Sequence, residues 1–475
     1  MTPQTAAEAA GPGPAEAITG LMSRARAAMA QFAGADQARV DEAVTALAWA
    51  IHEPGRAREL AELAVADTGL GTVDSKITKN QRKTFGALRD LMRVRTVGVI
   101  DDDPETGLVR YAKPVGVVGA VAPSTNPAAT PVNKAMFSLK GRNAVIIAPS
   151  PAGYGTTAKT VNYMRAELEK IGLPADLVQV LPAPVNKALT QELMNQVDLI
   201  VVTGSQNNVR RAYSSGTPAI GVGAGNVPVV IDETADLNDA AEKITMSKCF
   251  DNATSCSSEN SIIVLDAVYD DAIAALKTAG GYLCSVDEKE KIRDTLWVDG
   301  HLNRKVIAKD PDIFAAECGL PEQAKSSKFF MVEDDDPGPD NPFTDEKLSL
   351  VLTVYRAKDM DGVVARLRDI LNVCGLGHSV GIHTNTPEHA KRLAEEIDVV
   401  RVLVNQAHTF GNGGSFTNGL NFTLSMGGGT WAGNSISENL NYKHFINVTH
   451  LVREIAEDKP TEEELFGAHW EKYGK

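Results

Sequence analysis

From about residue 111 onward, short apolar β-branched runs alternate with helical stretches, and no other feature constrains the fold as much. The runs are Val115–Val121, Ala144–Ala148, Leu177–Val180 and Leu199–Thr203, and segment 155–171 between them is patterned as a helix. Strand, helix, strand at this spacing requires crossover connections and a mostly parallel, doubly wound sheet. Strands this continuously apolar are covered on both faces. A second series begins near residue 228, with strands expected at Pro228–Ile231, Ser261–Leu265, Val351–Tyr355, Val380–His383 and Val402–Asn405. Ahead of both series lies a helical region. Val40, Val44, Leu47, Ala48 and Ile51 share one face at the 3.6-residue period, Leu60, Leu63 and Ala64 repeat it, and Gly69 and Gly71 mark its end. Asp74 to Leu91 reads as another, polar-faced helix, and the predicted class is α/β.

Composition narrows the functional classes. At 475 residues the chain has room for about three domains. With 47 Lys and Arg against 61 Asp and Glu, its net charge of −14 argues against a nucleic-acid partner, which needs cationic surface. No apolar run approaches the roughly 18 residues of a membrane helix, so no membrane partner is expected. The opening MTPQTAAEAAGPGPAEA lacks the basic and apolar regions of a secretory signal. Five cysteines lie far apart without a CxxC pair, which points to a reducing cytoplasm and away from disulfides or a zinc site. No metal ligands are expected.

Four of the cysteines, Cys249, Cys284, Cys318 and Cys374, sit among apolar or helical neighbours and read as small buried hydrophobes. Cys256 differs, because FDNATSCSSENSIIVLD places it in a small polar turn between a helix and a strand. Such a turn can present a thiol to a substrate carbonyl, and thiols are already slightly ionised at neutral pH. The run Gly221 to Asn226 is half of a dinucleotide fingerprint, without the acidic residue a ribose site would require. Gly204 follows a strand and either opens a phosphate-holding helix start or is a plain turn. After residue 410 the Gly- and Asn-rich stretch FGNGGSFTNGLNFTLSMGGGTWAGN is suited to wind over a site built by other elements.

Six motifs then occur in order: Ala122-Pro123-Ser124-Thr125-Asn126-Pro127, Thr203-Gly204-Ser205, AYSSGTPAIGVGAGNVPVVID (212–232), FDNATSCSSE (250–259), EKLSLVLTVYRAKD (346–359) and GLGHS (375–379). Together they resemble the aldehyde dehydrogenase superfamily over roughly residues 35–455, and more narrowly its CoA-acylating branch. The resemblance implies a Rossmann-like cofactor domain (15–232, with 425–440 returning to it) and an α/β catalytic domain (233–424). It also implies an oligomerisation element (96–113 and 441–455) serving a homodimer or homotetramer, between a disordered tail at 1–14 and a C-terminal tail at 456–475. It makes Cys256 the nucleophile and Asn126 its oxyanion partner. Thr125, Pro149, Ser150, Thr203, Gly204, Ser205, Gly223 and Glu346 become contacts of the nicotinamide cofactor.

Two departures from the hydrolytic branch matter. That branch carries a carboxylate to activate water where this chain has Gly221-Val222-Gly223-Ala224-Gly225-Asn226, so transfer to the stronger nucleophile CoA is favoured. Where hydrolytic relatives meet the adenosine ribose with Lys and Glu, this chain has Ala148 to Gly153. Ser150 is then a possible donor, which leans toward NADP over NAD without an arginine to settle it. His378 is either the base for the CoA thiol or a structural histidine in a glycine turn. His408 and Asn405, with Arg401 nearby, lie where the family lines its aldehyde pocket, and are expected to hold an anionic head such as a sulfonate. The C-terminal stretch resembles the subset acting on sulfoacetaldehyde. Acetaldehyde, glycolaldehyde and succinate semialdehyde remain alternatives, as do hydrolytic oxidation and a silent structural subunit.

Overall fold

The structure, a computed structural model, describes residues 13–475. The tail expected at 1–14 therefore lies almost wholly outside the described residues, and Pro14 already begins a helix, Pro14–Phe32. Two parallel sheets organise the chain. The first has five strands in the order Val178–Val180, Ala144–Ala148, Val117–Val121, Leu199–Thr203 and Ala219–Val222. In chain order that is 3-2-1-4-5, so the winding direction reverses between Val117–Val121 and Leu199–Thr203. Open α/β sheets bind ligands in the crevice at such a switch point, outside the strands' carboxyl ends. Ala122–Pro127 and Gly204–Ser205 leave the sheet there.

The second sheet has seven parallel strands: Gly281–Leu283, Phe329–Glu333, Val351–Ala357, Glu259–Leu265, Val227–Ile231, Val380–His383 and Val402–Val404. Strand Val227–Ile231 hydrogen-bonds to Glu259–Leu265 and Val380–His383, so the first sheet's unit ends between Val222 and Val227, ahead of the expected boundary at 232. A small antiparallel sheet joins Gly98–Asp103, Leu108–Pro114 and Ile446–Val452 within one chain. The expected C-terminal tail contains a helix, Glu462–Tyr473, started by a Thr461–Glu464 capping box.

Helices cover the first sheet for the reason the periodicity gives. In Gln37–His52, Val40, Val44, Leu47 and Ile51 are fully buried in the core that also takes Ile18, Leu21 and Phe32 of the first helix. Segment 425–440 reaches back to this sheet: Ile436 and Leu440 join its core, and the Ser425 hydroxyl meets that of Thr203 at 2.5 Å. The switch point is locked from beneath by Lys134 of helix Ala129–Lys140. Fully buried, its ammonium donates to the carbonyls of Val121 (2.6 Å), at the end of one of the two strands that define the crevice, and Val201 (2.9 Å), in the middle of the other. Replacing Lys134 with Met strands both carbonyls in an apolar setting. The unfolding free energy from urea titration should fall by about 2–4 kcal/mol.

Candidate active site

The approach to Cys256 is a forced turn. Helix Leu237–Cys249 ends, and Asp251, Asn252 and Ala253 follow at φ of 53°, 50° and 60°. Three successive non-glycine residues in the left-handed region persist only where their surroundings over-determine them. Here the Asp251 carboxylate does so. Fully buried, it accepts from Lys79 Nζ (2.6 Å), Lys76 Nζ (3.1 Å), the Thr254 hydroxyl (2.7 Å) and the Thr72 backbone N–H (2.9 Å). The two lysines belong to helix Val73–Met92, so the turn is bolted to an element nearly 180 residues earlier. Asn252 adds a bond to Asp310 Oδ1 (2.7 Å).

Past this turn, Ser255 and Ser257, the chain neighbours of Cys256, line a cleft. Asn126, Phe250, Thr409, Phe410, Leu424 and Met426 line it as well, together with Thr78, Lys79, Arg82 and Lys83. No Asp or Glu lines it. The Asn126 amide makes only a long 3.4 Å contact with the Thr125 hydroxyl, and its Oδ1 is buried without a partner. Its amide is therefore largely uncommitted.

Behind Cys256 the packing leaves no room for a side chain from the glycine run. A Cβ on Gly225 would lie 2.3 Å from the Cys256 carbonyl oxygen and 2.9 Å from His378 Nε2. The same contact places the His378 ring beside the cysteine backbone. His378 Nδ1 lies 2.8 Å from the Ser379 hydroxyl, and Nε2 is buried with no partner. Burial first, then Arg401 and His408, hold His378 well below its usual pKa, so it is a neutral imidazole at pH 7.

Burial and then the Glu346 carboxylate push the Cys256 thiol up to about 12, against Arg401 and a Ser257 hydrogen bond. Glu346 is itself raised to about 8 by burial and by Asp345, while the Gly225 N–H favours its charged form. The other four thiols are also raised by burial. What distinguishes Cys256 is its place at the cleft.

The sequence profile of the "Aldehyde dehydrogenase family" matches residues 3–291. A sulfoacetaldehyde dehydrogenase (acylating) of Cupriavidus necator is 53% identical over 462 residues, spanning 97% of this chain and 94% of that one. Another of that name, from Bilophila wadsworthia, is 44% identical over 96% of this chain and 99% of the other. The crystal structure of an acetylating aldehyde dehydrogenase from Geobacillus thermoglucosidasius superposes with a TM-score of 0.90 at 34% identity, covering 94% of this chain and 98% of that one.

The chain belongs to the aldehyde dehydrogenase family. It is an acylating aldehyde dehydrogenase, an oxidoreductase acting on aldehydes.

Three residues expected in this dehydrogenase's aldehyde pocket are held by hydrogen bonds of their own. Arg401 is buried, donating to the carbonyls of His378 (2.9 Å) and Gly427 (2.9 Å) and to Asn439 Oδ1 (3.2 Å). It braces the His378 turn against the returning segment and does not line the cleft. Asn405 sits at φ 52° and spends its amide on the backbone of Thr384 in both directions. His408 lies under the cysteine loop, its Nδ1 3.0 Å from the Ser257 carbonyl and its N–H on Glu259. Burial takes it down to about 3.

The cofactor candidates gather at the switch point. Gly204 (φ 140°) turns the chain beside Pro123, and Ser205 caps helix Gln206–Tyr213. A Cβ on Gly223 would meet the end of the Gln206 side chain at 2.3 Å. Ser150, next to Pro149, accepts from the Gly153 N–H and keeps its own hydrogen to donate. Thr125 and Thr203 stand at the ends of the two central strands. This set of amides and neutral hydroxyls suits a dinucleotide's phosphates and sugars.

The cations of helix Val73–Met92 were not singled out from the sequence. Their signal was Lys76, Lys79, Arg82 and Lys83 at helical spacing with no acid between Ser75 and Leu88.

Replacing Asp251 with Asn should lower stability by about 3–5 kcal/mol, because it leaves two buried ammonium groups unpaired. The Asp251 pKa lies below its ordinary 3.8, held there by Lys79 and Lys76 against burial, so its contribution is present at neutral pH and lost as pH falls through that lowered value. Melting midpoints of wild type and D251N should therefore converge in acid. With a thiol near 12, alkylation of Cys256 by iodoacetamide in the ligand-free enzyme should rise about tenfold per pH unit from 7 to 9 without a plateau.

Proposed function

We propose that the enzyme oxidises sulfoacetaldehyde with NAD(P) and CoA, reversibly, to the corresponding acyl-CoA through a thioester on Cys256. The supporting observation is a cysteine cleft with no carboxylate on its wall and no space for one at Gly225. The Cys256 sulfur adds to the aldehyde carbon and the carbonyl electrons move onto oxygen, which the Asn126 amide and the Cys256 N–H face. The switch-point residues and Glu346 would hold the nicotinamide cofactor, which when bound would supply the acceptor for the hydride leaving that carbon. A thioester remains. The position that carries the water-activating carboxylate in the hydrolytic branch falls in the run Gly221 to Asn226, which has none, and the CoA thiol is a stronger nucleophile than water. The CoA thiol gives its proton to the neutral Nε2 of His378 and attacks, expelling the Cys256 sulfur. Aldehyde, CoA and oxidised cofactor become acyl-CoA, reduced cofactor and a proton.

The name shared by the Cupriavidus and Bilophila relatives supports the substrate assignment. NADP is favoured over NAD by Ser150 and by the absence of an acid in Ala148 to Gly153. Five unpaired cysteines support a cytoplasmic location. No described helix is long and apolar enough to cross a membrane. Strand Ile446–Val452 ends the small sheet with an open edge and exposes Val448, Leu451 and Val452. That edge supports assembly as a homodimer or homotetramer.

The deciding assay follows reduced nicotinamide with sulfoacetaldehyde, acetaldehyde or succinate semialdehyde, with NAD or NADP, each with and without CoA. Strict CoA dependence and a preference for the sulfonate are expected. Equal activity without CoA would overturn the acylating step. Cys256→Ala should abolish turnover at an unchanged melting temperature.

A further inference from the structure

Resting on the anionic substrate just proposed, we infer that Arg82 and Lys83 of helix Val73–Met92 form the seat for the aldehyde's anionic head, in the cleft that the neighbours of Cys256 line, and thereby set the preference for a charged aldehyde. Four basic residues descend one side of this helix. Lys76 and Lys79 are neutralised by Asp251. Among the described residues, no carboxylate pairs with Arg82 or Lys83, although both line a cleft whose one other charged residue, Lys79, is paired with Asp251. Two cations kept from full hydration without a counter-charge are costly, and a bound anion removes that cost.

The local geometry leaves their donors available. The Arg82 guanidinium lies 5.3–5.6 Å from the ring centres of Phe410, Phe422 and Phe416. Its polar contacts are long, 3.3 Å to the Ser415 hydroxyl and 3.5 Å to the Phe410 carbonyl. The aromatic frame fixes the plane and strips water from it. Lys83 Nζ makes one bond, to the Gly413 carbonyl at 2.8 Å. A sulfonate offers three acceptor oxygens and is charged at any working pH. Its sulfur is two bonds from the aldehyde carbon, so its seat has to lie beside the reacting cysteine. Lys83 meets that demand, since a Cys256 thiolate is near enough to favour its charged form.

Lys83 also supplies a second readout. Burial, then Arg82 and Lys79, lower it to about 7. Around it, its own helix carries Lys79, Arg82 and the Arg89–Asp90 pair, the cysteine turn carries Asp251 and Cys256, and residues 410–426 carry no titratable side chain. As pH rises through 7 in the free enzyme, Lys83 loses its proton. KM for an anionic aldehyde should then rise relative to KM for a neutral one.

The test uses the full-length enzyme with CoA and cofactor, comparing sulfoacetaldehyde with neutral propionaldehyde in wild type, Arg82→Met, Arg82→Lys and Lys83→Met. Each Met variant should lose about 10- to 100-fold in kcat/KM for sulfoacetaldehyde, mainly through KM, while propionaldehyde changes less than about threefold. R82K should recover part of the loss, and K83M should abolish the pH trend in the KM ratio. Independently of turnover, ethanesulfonate should shield Cys256 from iodoacetamide in wild type and about tenfold less well in the Met variants. If R82M does not fold, K83M carries the same comparison. Parallel loss on both aldehydes, or sulfoacetaldehyde kinetics unchanged in both Met variants, would overturn the seat. If wild type rejects sulfoacetaldehyde yet ethanesulfonate shields Cys256 through Arg82, the seat stands and the substrate assignment falls.

Discussion

The buried carboxylate of Asp251 is the constraint on which the site depends. It converts three left-handed residues, a locally unfavourable path, into the only path that satisfies Lys76 and Lys79. In doing so it fixes the distance between the cysteine turn and helix Val73–Met92. Neither partner can move alone, because separating them would leave charges in a dry interior. Gly71 records how tightly the joint is closed: a Cβ there would sit 1.9 Å from an Asp251 oxygen. The catalytic turn and the helix that lines the cleft are thus one mechanical unit, although they come from different parts of the chain.

That joint also divides the labour of a single helix. Lys76 and Lys79 are paired with Asp251 of the turn, although Lys79 also reaches the cleft, whereas Arg82 and Lys83, one turn further on, line the cleft and, among the described residues, have no carboxylate partner. A period of 3.6 residues puts all four near one side, and the position of one aspartate decides which remain available. Aromatic residues from the 410–422 loop then close over Arg82, which explains why a stretch so rich in Gly and Asn still carries Phe410, Phe416 and Phe422. The small residues let the loop follow its path, and the rings do the packing.

Much of this was legible in the sequence, and the rest was hidden for definable reasons. Apolar runs such as Ala144–Ala148 announced their strands because both faces are buried, and the polar turn at Cys256 stood out because its neighbours are too small to fill a core. Gly281–Leu283 and Phe329–Glu333 were not found. The first is too short for a pattern, and the second abuts a Lys- and Ser-rich stretch that masks its onset. The hydrogen bonds that hold Arg401, Asn405 and His408 could not be read from the sequence, because composition tells which groups a loop offers but not which way they turn. Arg401 is drawn inward by three acceptors, two of them backbone carbonyls, and no spacing rule encodes that. Arg82 and Lys83 were visible only as a polar helix face. Their counterpart loop lies some 330 residues downstream, and a face becomes a wall only once its opposite is known.

The electrostatics of the resting site follow from this arrangement. At neutral pH the thiol of Cys256 (about 12), the carboxyl of Glu346 (about 8) and the imidazoles of His378 and His408 are all held mostly uncharged by burial. Arg401 and the Ser257 hydrogen bond favour a Cys256 thiolate, but burial outweighs them in the ligand-free site. Charge therefore has to arrive with the ligands. A cation seated beside Cys256 favours the thiolate by Coulomb attraction, and an anion in the cleft is matched by cations already fixed there. The nucleophile is then weak when the site is empty and strong when it is filled, and the same low dielectric that silences the free enzyme strengthens each interaction once the reactants are in place.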